Sequence, residues 1–306
     1  MGKYFGTDGF RGEANVTLTV EHAYKVGRFL GWYYGQKTPG EKCRIVIGKD
    51  TRKSGDMLEA ALTAGLCSMG AKVIPLGVVP TPAVAYLTRY YKADAGVVIS
   101  ASHNPCEYNG IKFFNSDGYK LSDGIENEIE SYILGEKAIE ELPTHGKVGY
   151  VSANHNAVED YVAFAVSTID CRLDGMKIAV DCANGASYET AFKALNKLGA
   201  NVEAIHNTPD GVNINHMCGS THMESLQAYV TSIGADIGIA FDGDADRMLA
   251  VDENGKLIDG DQIMAACAKF MRDNGTLKQN TLVATVMSNL GLFMAGEKIG
   301  INIPRT

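Results

Sequence analysis

Hydrophobic and polar positions follow one layout that recurs along the chain. Residues 43–77, CRIVIGKDTRKSGDMLEAALTAGLCSMGAKVIPLG, run as an apolar strand, a polar loop, a helix, a glycine-containing turn and a second strand. Residues 176–206 repeat that order, and a partial third copy starts at residue 281. Gly70 and Gly199 each follow a predicted helix, at the position where a positive φ commonly ends one. The layout predicts repeated βαβ units.

The repeats predict three-layer α/β/α domains with mixed, mostly parallel sheets. We expect the first domain over residues 1–150, because a segment containing Pro and Gly lies just before that point. The second is expected over residues 151–256 and ends at a Glu-Asn-Gly turn. Residues 257–306 form a partial third domain, which stops just after its second predicted strand. We therefore expect a chain that is shortened at its C-terminus, without a fourth domain.

Composition and charge narrow the function classes. Of the 306 residues, 45% are hydrophobic and 21% are charged, which is typical of a soluble globular protein. The formal net charge of −8 argues against broad binding to nucleic acid or to anionic membranes. The seven cysteines are scattered without C-x-x-C spacing, which favours reduced thiols, and neither a membrane span nor a signal peptide is visible. We expect a cytoplasmic protein.

An acidic loop suggests a metal site. Residues 236–247 read DIGIAFDGDADR, so that Asp242, Asp244 and Asp246 follow an apolar strand at alternate positions. Three carboxylates this close repel one another, and a divalent cation relieves that repulsion. Mg²⁺ prefers hard oxygen ligands and commonly binds a few carboxylates together with a phosphate oxygen.

Two other interpretations fit this loop less well. A solvated acidic turn is common, but most such turns do not directly follow an apolar strand. An EF-hand fits the D-x-D-x-D spacing and Glu253 at the twelfth position. However, the sixth position of an EF-hand loop is a glycine and here is Arg247, and an EF-hand loop follows a helix rather than a strand. Magnesium binding is the stronger prediction.

Ser102 stands at the end of another predicted strand, within VISASHNPCEYNGIKFF at residues 98–114. The neighbouring His103 first suggests a hydrolase, but adjacent side chains usually point apart and no G-x-S-x-G elbow is present. Beside a magnesium site, Ser102 suits a phosphoryl carrier better than an acyl nucleophile. Such a site needs cations, and the chain offers Arg11, Lys112 and Arg247.

The motifs together resemble the α-D-phosphohexomutase family. GTDGFRG at residues 6–12, SASHNP, NGIKFFNSDGYKLSD and DGDADR occur in that family's order and at its approximate spacing. NINHMCGSTHMESL at residues 213–226 is similar to the branch that acts on glucosamine phosphates. The resemblance extends over essentially the whole chain.

This resemblance implies an isomerase mechanism. Phosphorylated Ser102 would give its phosphate to glucosamine 6-phosphate, and the resulting 1,6-bisphosphate would return its other phosphate to Ser102 and leave as glucosamine 1-phosphate. Asp242, Asp244, Asp246 and the phosphoserine would hold one Mg²⁺. A hexosamine or glucose 1,6-bisphosphate would prime the serine, and a phosphosugar would be the substrate.

The resemblance also implies roles for the remaining residues. Lys112 would be a general base, and Arg11 would lie near the transferred phosphate. Arg247 would support the metal loop or contact the bound sugar. His103 would assist the reaction or order its loop, and the sequence does not separate these two roles.

The chain departs from the family in two places. It contains neither the family's Arg-Pro-Ser-Gly-Thr-like phosphate loop nor its Gly-Glu-x-Ser-Gly-His sugar loop. We therefore expect little mutase activity, and apolar strand edges of a partial third domain that favour a homodimer. Two alternatives stay open at this point: a phosphoglucomutase or phosphomannomutase, and a divalent-metal-binding module without catalysis.

Overall fold

The computed structural model describes residues 4–6, 9–37, 40–139, 141–153 and 156–306. The strands are, in chain order, β1 (Phe5–Gly6), β2 (Gly9–Glu13), β3 (Arg44–Lys49), β4 (Lys72–Val78), β5 (Ala95–Ile99), β6 (Tyr108–Asn115), β7 (Tyr150–Val151), β8 (Lys177–Asp181), β9 (Asn201–Ile205), β10 (Ile237–Phe241), β11 (Met248–Asp252) and β12 (Leu257–Ile258). The helices are α1 (Val20–Gly35), α2 (Ser54–Ser68), α3 (Thr81–Tyr90), α4 (Asp123–Leu134), α5 (Ala157–Ser167), α6 (Thr190–Lys197), α7 (Glu224–Ile233), α8 (Gly260–Asp273) and α9 (Leu290–Ile299).

The first sheet has the strand order β1-β2-β6-β5-β3-β4-β7. Strands β2, β3, β4, β5 and β7 run in one direction, and β1 and β6 run against them. Helices α1, α2 and α4 cover one face of this sheet, and α3 and α5 cover the other. The arrangement is the expected three-layer α/β/α sandwich.

Both faces of the central strands are buried, which explains why they read as unbroken apolar runs in the sequence. Ile45 and Ile47 of β3 point into the core beneath α1 and α2, whereas Val46 points into the core beneath α3. All five residues of β5 are buried, with Val98 on the α3 side. This strand ends three residues before Ser102.

The second sheet has the order β12-β11-β10-β8-β9 and repeats the first on a smaller scale. Strands β8, β9 and β10 are parallel, and α7 and α6 cover its two faces. The predicted repeats are present as β3-α2-β4 and β8-α6-β9, each a parallel pair joined by a helix. Gly70 and Gly199 have φ values of +89° and +97°. The predicted fold class is confirmed.

The third copy forms a helix and two extended segments. Its helix is α9, which ends at Gly300 with φ +67°. Segments 280–284 and 302–306 lie parallel and share four backbone hydrogen bonds. Pro304 has no N–H to donate to Leu282, so the ladder is interrupted in its middle and the segments form isolated bridges.

The predicted domain boundaries stay predictions. The first falls within β7, whose two residues pair with β4, so the first sheet extends as far as Val151. The second falls at β12, which pairs with β11 at the edge of the second sheet.

Two expectations drawn from the composition concern the cysteines and membrane-spanning helices. All seven cysteines lie among the described residues, and each is a free thiol. In the part of the chain that the structure describes, no helix combines the length and the apolar character needed to cross a bilayer.

Helices α1 and α2 touch backbone to backbone, and we predict that Gly65→Ala separates them. A Cβ on Gly65 would lie 2.2 Å from the carbonyl oxygen of Tyr24. We expect the free energy of unfolding to fall by about 1–3 kcal/mol, as for other overpacked contacts. Urea unfolding followed by the fluorescence of Trp32, the single tryptophan and a residue of α1, measures it.

Gly35→Ala is the matched control, because no heavy atom lies within 4 Å of a Cβ at this glycine at the end of α1. We expect it to leave stability unchanged or to raise it by up to about 1 kcal/mol. Equal urea midpoints for the two variants would contradict the close-packing argument.

Candidate active site

The carboxyl ends of strands from both sheets meet in one cleft. Ser102 follows β5, and residues 50–53 follow the neighbouring parallel strand β3. Asp242 follows β10 of the second sheet directly. In α/β sheets, loops at the carboxyl ends of parallel strands commonly form the binding site. The predicted serine and the predicted acidic loop are therefore brought together by two separate sheets.

Ser102 is held in an unusual conformation. Its φ is +53°, in the left-handed region, and the residue is fully buried. Its hydroxyl donates to Asp242 Oδ2 at 2.6 Å, and its backbone N–H donates to Ser100 Oγ at 3.0 Å. A left-handed non-glycine residue costs about 1–2 kcal/mol, so the surrounding contacts must impose this geometry.

The acidic loop lies directly against the serine. A Cβ on Gly243 would lie 2.6 Å from the carbonyl oxygen of Ser102 and 2.7 Å from Asn215 Nδ2, so only glycine fits here. Glycine at position 243 therefore permits the close approach of the acidic loop to the serine backbone.

The three carboxylates differ in their electrostatic surroundings. Burial and the neighbouring Asp244 raise the pKa of Asp242 to about 6. The same two causes raise the pKa of Asp246. Burial alone would raise the pKa of Asp244, but the Lys112 charge and the hydrogen bond from Thr81 outweigh it and hold that pKa below its usual value. Crowded negative charge is thus only partly compensated by the protein.

Two of the predicted cations reach this cluster. Lys112, on β6 opposite Val98, places Nζ 3.0 Å from Asp244 Oδ2 and 3.9 Å from Asp246 Oδ2. Arg247 Nη2 donates to Ser102 Oγ at 2.5 Å, and Arg247 Nε lies 3.4 Å from a carboxylate oxygen of Asp242 and one of Asp246.

His103 and Arg11 lie at the rim of this group. His103 Nδ1 accepts from Arg247 Nη2 at 2.6 Å, and burial together with the charges of Arg247 and Arg11 lowers the pKa of His103. A lowered pKa favours the neutral imidazole. Arg11 lies on β2 opposite Gly110, with its Cγ 3.1 Å from the Cβ position of that glycine. Residues 7 and 8 of the GTDGFRG motif lie outside the described residues.

The carboxylates present fit a divalent cation. Asp242, Asp244 and Asp246 each offer an oxygen within 4.8 Å of the others. Asp244 Oδ1 is buried and accepts no hydrogen bond from the residues that the structure describes. A buried carboxylate oxygen without a donor is costly, and a cation with oxygen ligands would satisfy it.

Sequence reasoning missed the residues that hold the site together. Thr81 donates to Asp244 Oδ2 at 2.7 Å, and Asn215 and Arg52 donate to the carbonyl oxygen of Ser102, each at 2.9 Å. Thr81 and Arg52 follow the ends of β4 and β3, so the strand-end rule that indicated Ser102 could have indicated them. No local signal marks Asn215.

Three consecutive matches place the chain in a family. Residues 2–140 match phosphoglucomutase/phosphomannomutase alpha/beta/alpha domain I, residues 158–255 match domain II, and residues 259–306 match domain III. The chain is 59% identical over 306 residues to a phosphoglucosamine mutase of Acetivibrio thermocellus, and 58% identical to one of Clostridium acetobutylicum. It is covered completely in both comparisons and spans 68% of each relative's length.

Solved structures share the fold. A phosphoglucomutase/phosphomannomutase family protein of Burkholderia thailandensis matches with a TM-score of 0.80 at 26% identity, over 97% of this chain and 64% of that one. An N-acetylphosphoglucosamine mutase of Aspergillus fumigatus, solved with GlcNAc-6P and magnesium, matches with a TM-score of 0.63 at 18% identity, over 100% and 62%. The resemblance inferred from the motifs is confirmed: the chain belongs to the phosphoglucomutase/phosphomannomutase family of phosphosugar mutases, which are isomerases.

Proposed function

We propose that this chain interconverts glucosamine 6-phosphate and glucosamine 1-phosphate, with Ser102 as the phosphoryl carrier. The observation that carries the proposal is the position of Ser102 Oγ, 2.6 Å from Asp242 and 2.5 Å from Arg247, beside three clustered carboxylates. A hydroxyl group held between a cation and a metal-type cluster suits phosphoryl transfer. The names of the two bacterial relatives described above, both phosphoglucosamine mutases, support the amino sugar.

We also propose that the carboxylate cluster binds Mg²⁺. Asp242, Asp244, Asp246 and the phosphate on Ser102 would be its ligands, and the buried Asp244 Oδ1 supports this assignment. When bound, the cation supplies positive charge that offsets the negative charge of the transferring phosphoryl group.

Lys112 is proposed as the general base, and its contacts also suit a second role. In the general-base role, a neutral Lys112 amine takes the proton from the sugar hydroxyl whose oxygen attacks phosphorus, while Ser102 Oγ leaves. Lys112 Nζ also donates to Asp244 Oδ2 at 3.0 Å, so the lysine is a hydrogen-bond donor within the carboxylate cluster. Lys112 therefore also suits hydrogen bonding to phosphate oxygens, and this second role needs no loss of its charge.

Arg247, His103 and Arg11 complete the proposed site. Arg247 bridges the serine hydroxyl and the carboxylates, which supports the predicted role beside the metal loop. The bond from Arg247 to Nδ1 of a neutral His103 favours an ordering role for this histidine and leaves Nε2 with the ring proton. Arg11 remains assigned to the phosphate, as a prediction.

The remaining expectations belong to the same proposal. A hexose 1,6-bisphosphate would prime Ser102, by transferring one phosphoryl group to the serine oxygen and leaving as a monophosphate. The three domain ranges, a cytoplasmic location, a homodimer and the lack of nucleic-acid or membrane partners stay predictions.

Phosphorylation of Ser102 tests the central claim. We expect the 306-residue chain, incubated with glucose 1,6-bisphosphate and Mg²⁺, to gain one phosphate, because the serine hydroxyl already lies between a cation and the carboxylates. Intact mass together with peptide mapping of residues 93–120 measures it. Ser102→Ala should gain none, and Ser116→Ala, at an exposed serine in the turn after β6, should behave as the unchanged chain. Equal phosphate uptake by the Ser102→Ala variant contradicts the proposal.

Removing one carboxylate tests the metal site. We expect Asp244→Asn to weaken Mg²⁺ binding by at least roughly tenfold, since even the outer-shell partners of metal ligands commonly contribute that much. Isothermal titration calorimetry with MgCl₂ measures it, and Asp117→Asn, in the exposed turn after β6, is the control. Unchanged affinity in Asp244→Asn would assign the cation elsewhere.

Sugar choice separates this function from its alternative. We expect slow conversion of glucosamine 6-phosphate and slower conversion of glucose 6-phosphate, measured as the rates of formation of the two 1-phosphates. Both rates should lie well below those of a longer relative, because the 306 residues contain neither of the two substrate-gripping loops that the resemblance implies. A higher rate on glucose 6-phosphate would favour a phosphoglucomutase.

A further inference from the structure

Arg52 is the largest fully buried side chain that the structure describes, and the proposed reaction does not use it. Its Nε donates to Asp50 Oδ2 at 2.9 Å. The rest of the guanidinium serves the backbone of the serine loop: Nη2 donates to the carbonyl oxygens of Ser102 and Asn104 at 2.9 and 2.8 Å, and Nη1 donates to that of Pro105. A buried guanidinium is costly unless its donors are used, and here they converge on three backbone carbonyls within residues 102–105.

Asn215 binds two of the same carbonyls from the other side of the cleft. Its Nδ2 donates to the carbonyl oxygens of Ser102 and Asn104 at 2.9 and 3.1 Å. Asn215 is itself buried, has a φ of +58°, and donates its backbone N–H to the carbonyl of Ala183. Each of the two carbonyls therefore receives one donor from a loop of the first sheet and one from a loop of the second.

The amide side of Ser102 is fixed by the same network. Its N–H donates to Ser100 Oγ at 3.0 Å, and that hydroxyl donates to Asp50 Oδ2 at 2.6 Å. Asp50 thus joins the guanidinium of Arg52 to the amide of Ser102. Both backbone polar groups of the serine are held, while its side-chain hydroxyl faces Asp242.

We propose that Arg52 and Asn215 are positioning residues that form a carbonyl clamp on the Ser102 loop. The clamp holds the serine in its left-handed conformation, so that Oγ faces the carboxylates at the moment of phosphoryl transfer. This inference rests on the proposed function. Without the donors, the Ser102 and Asn104 carbonyls can rotate, and the serine can relax towards commoner backbone angles. A displacement of about 1 Å at a reacting atom can cost roughly 100-fold in rate.

A stability role alone makes a different prediction. A residue that only stabilises the fold lowers the folded fraction, while each folded molecule keeps its rate. A positioning residue lowers the maximal transfer rate of folded protein and leaves the donor concentration for half-maximal rate unchanged. Arg52→Lys keeps the positive charge but cannot reproduce the planar fork that reaches several carbonyls, so charge alone should not restore the rate.

The test is the rate at which glucose 1,6-bisphosphate with Mg²⁺ phosphorylates Ser102 in the 306-residue chain, followed by intact mass at several donor concentrations. Arg52→Lys should lower the maximal rate roughly 100-fold, with half-maximal donor concentration within about twofold of the unchanged chain. Asn215→Ala should lower the maximal rate roughly tenfold, because it removes the two hydrogen bonds from the second sheet.

Matched controls and a second readout separate the outcomes. Arg172→Lys, in an exposed pair with Asp174, and Asn201→Ala, at an exposed side chain at the start of β9, should react as the unchanged chain. Amide hydrogen exchange in residues 98–107 should speed up in Arg52→Lys and Asn215→Ala while exchange in α1 stays the same, which also establishes that the variants are folded.

Each result decides between the claims. If the unchanged chain gains phosphate and both clamp variants react within about twofold of it per folded molecule, the clamp is overturned and the proposed function stands. If the unchanged chain gains no phosphate, the proposed function fails and the clamp fails with it. If Arg52→Lys does not fold, Asn215→Ala decides alone, since that variant removes no charge.

Discussion

The hydrogen bond from Ser102 to Asp242 is the interaction on which the rest of the site depends. It joins the loop after β5 of one sheet to the loop after β10 of the other, at 2.6 Å. Neither sheet contains both groups, so the chemistry exists only where the two are held together. Other contacts fix the same approach: Lys53 N–H donates to the carbonyl of Gly211, and Thr81 N–H donates to that of Asp244. The cleft is therefore an interface as well as a candidate site.

One carboxylate oxygen in the cleft lacks a hydrogen-bond donor among the described residues. Lys112 and Thr81 both donate to Asp244 Oδ2, while Asp244 Oδ1 stays buried without a donor among the described residues. Burial and that neighbour together raise the pKa of Asp242 to about 6. Stability alone would favour a further hydrogen-bond donor at this point. Its absence from the described surroundings is what a cation-binding role needs, since the cation replaces the donor.

The features that the sequence predicts are those that local residue patterns encode. Apolar strands buried on both faces, helices ended by Gly70 and Gly199, and polar side chains at strand ends identified the fold, Ser102 and the acidic loop. The sequence did not predict Arg52 and Asn215, because they donate hydrogen bonds to carbonyls far along the chain. Arg52 is 50 residues from Ser102, and Asn215 is 113 residues from it. Hydrogen bonds to backbone carbonyls select no particular partner residue, so no spacing in the sequence records them.

The strained backbone of Ser102 requires a network of hydrogen bonds around it. A left-handed Ser102 is disfavoured on its own, so the chain must supply donors for its carbonyl and an acceptor for its amide. Glycine at position 243 then lets the acidic loop approach that carbonyl more closely than any side chain would permit. The positioning network and the acidic loop consequently share one surface, the backbone of residues 102–104. A change on either side of this surface alters the geometry of the other, which couples Ser102 to the carboxylates without a direct covalent link.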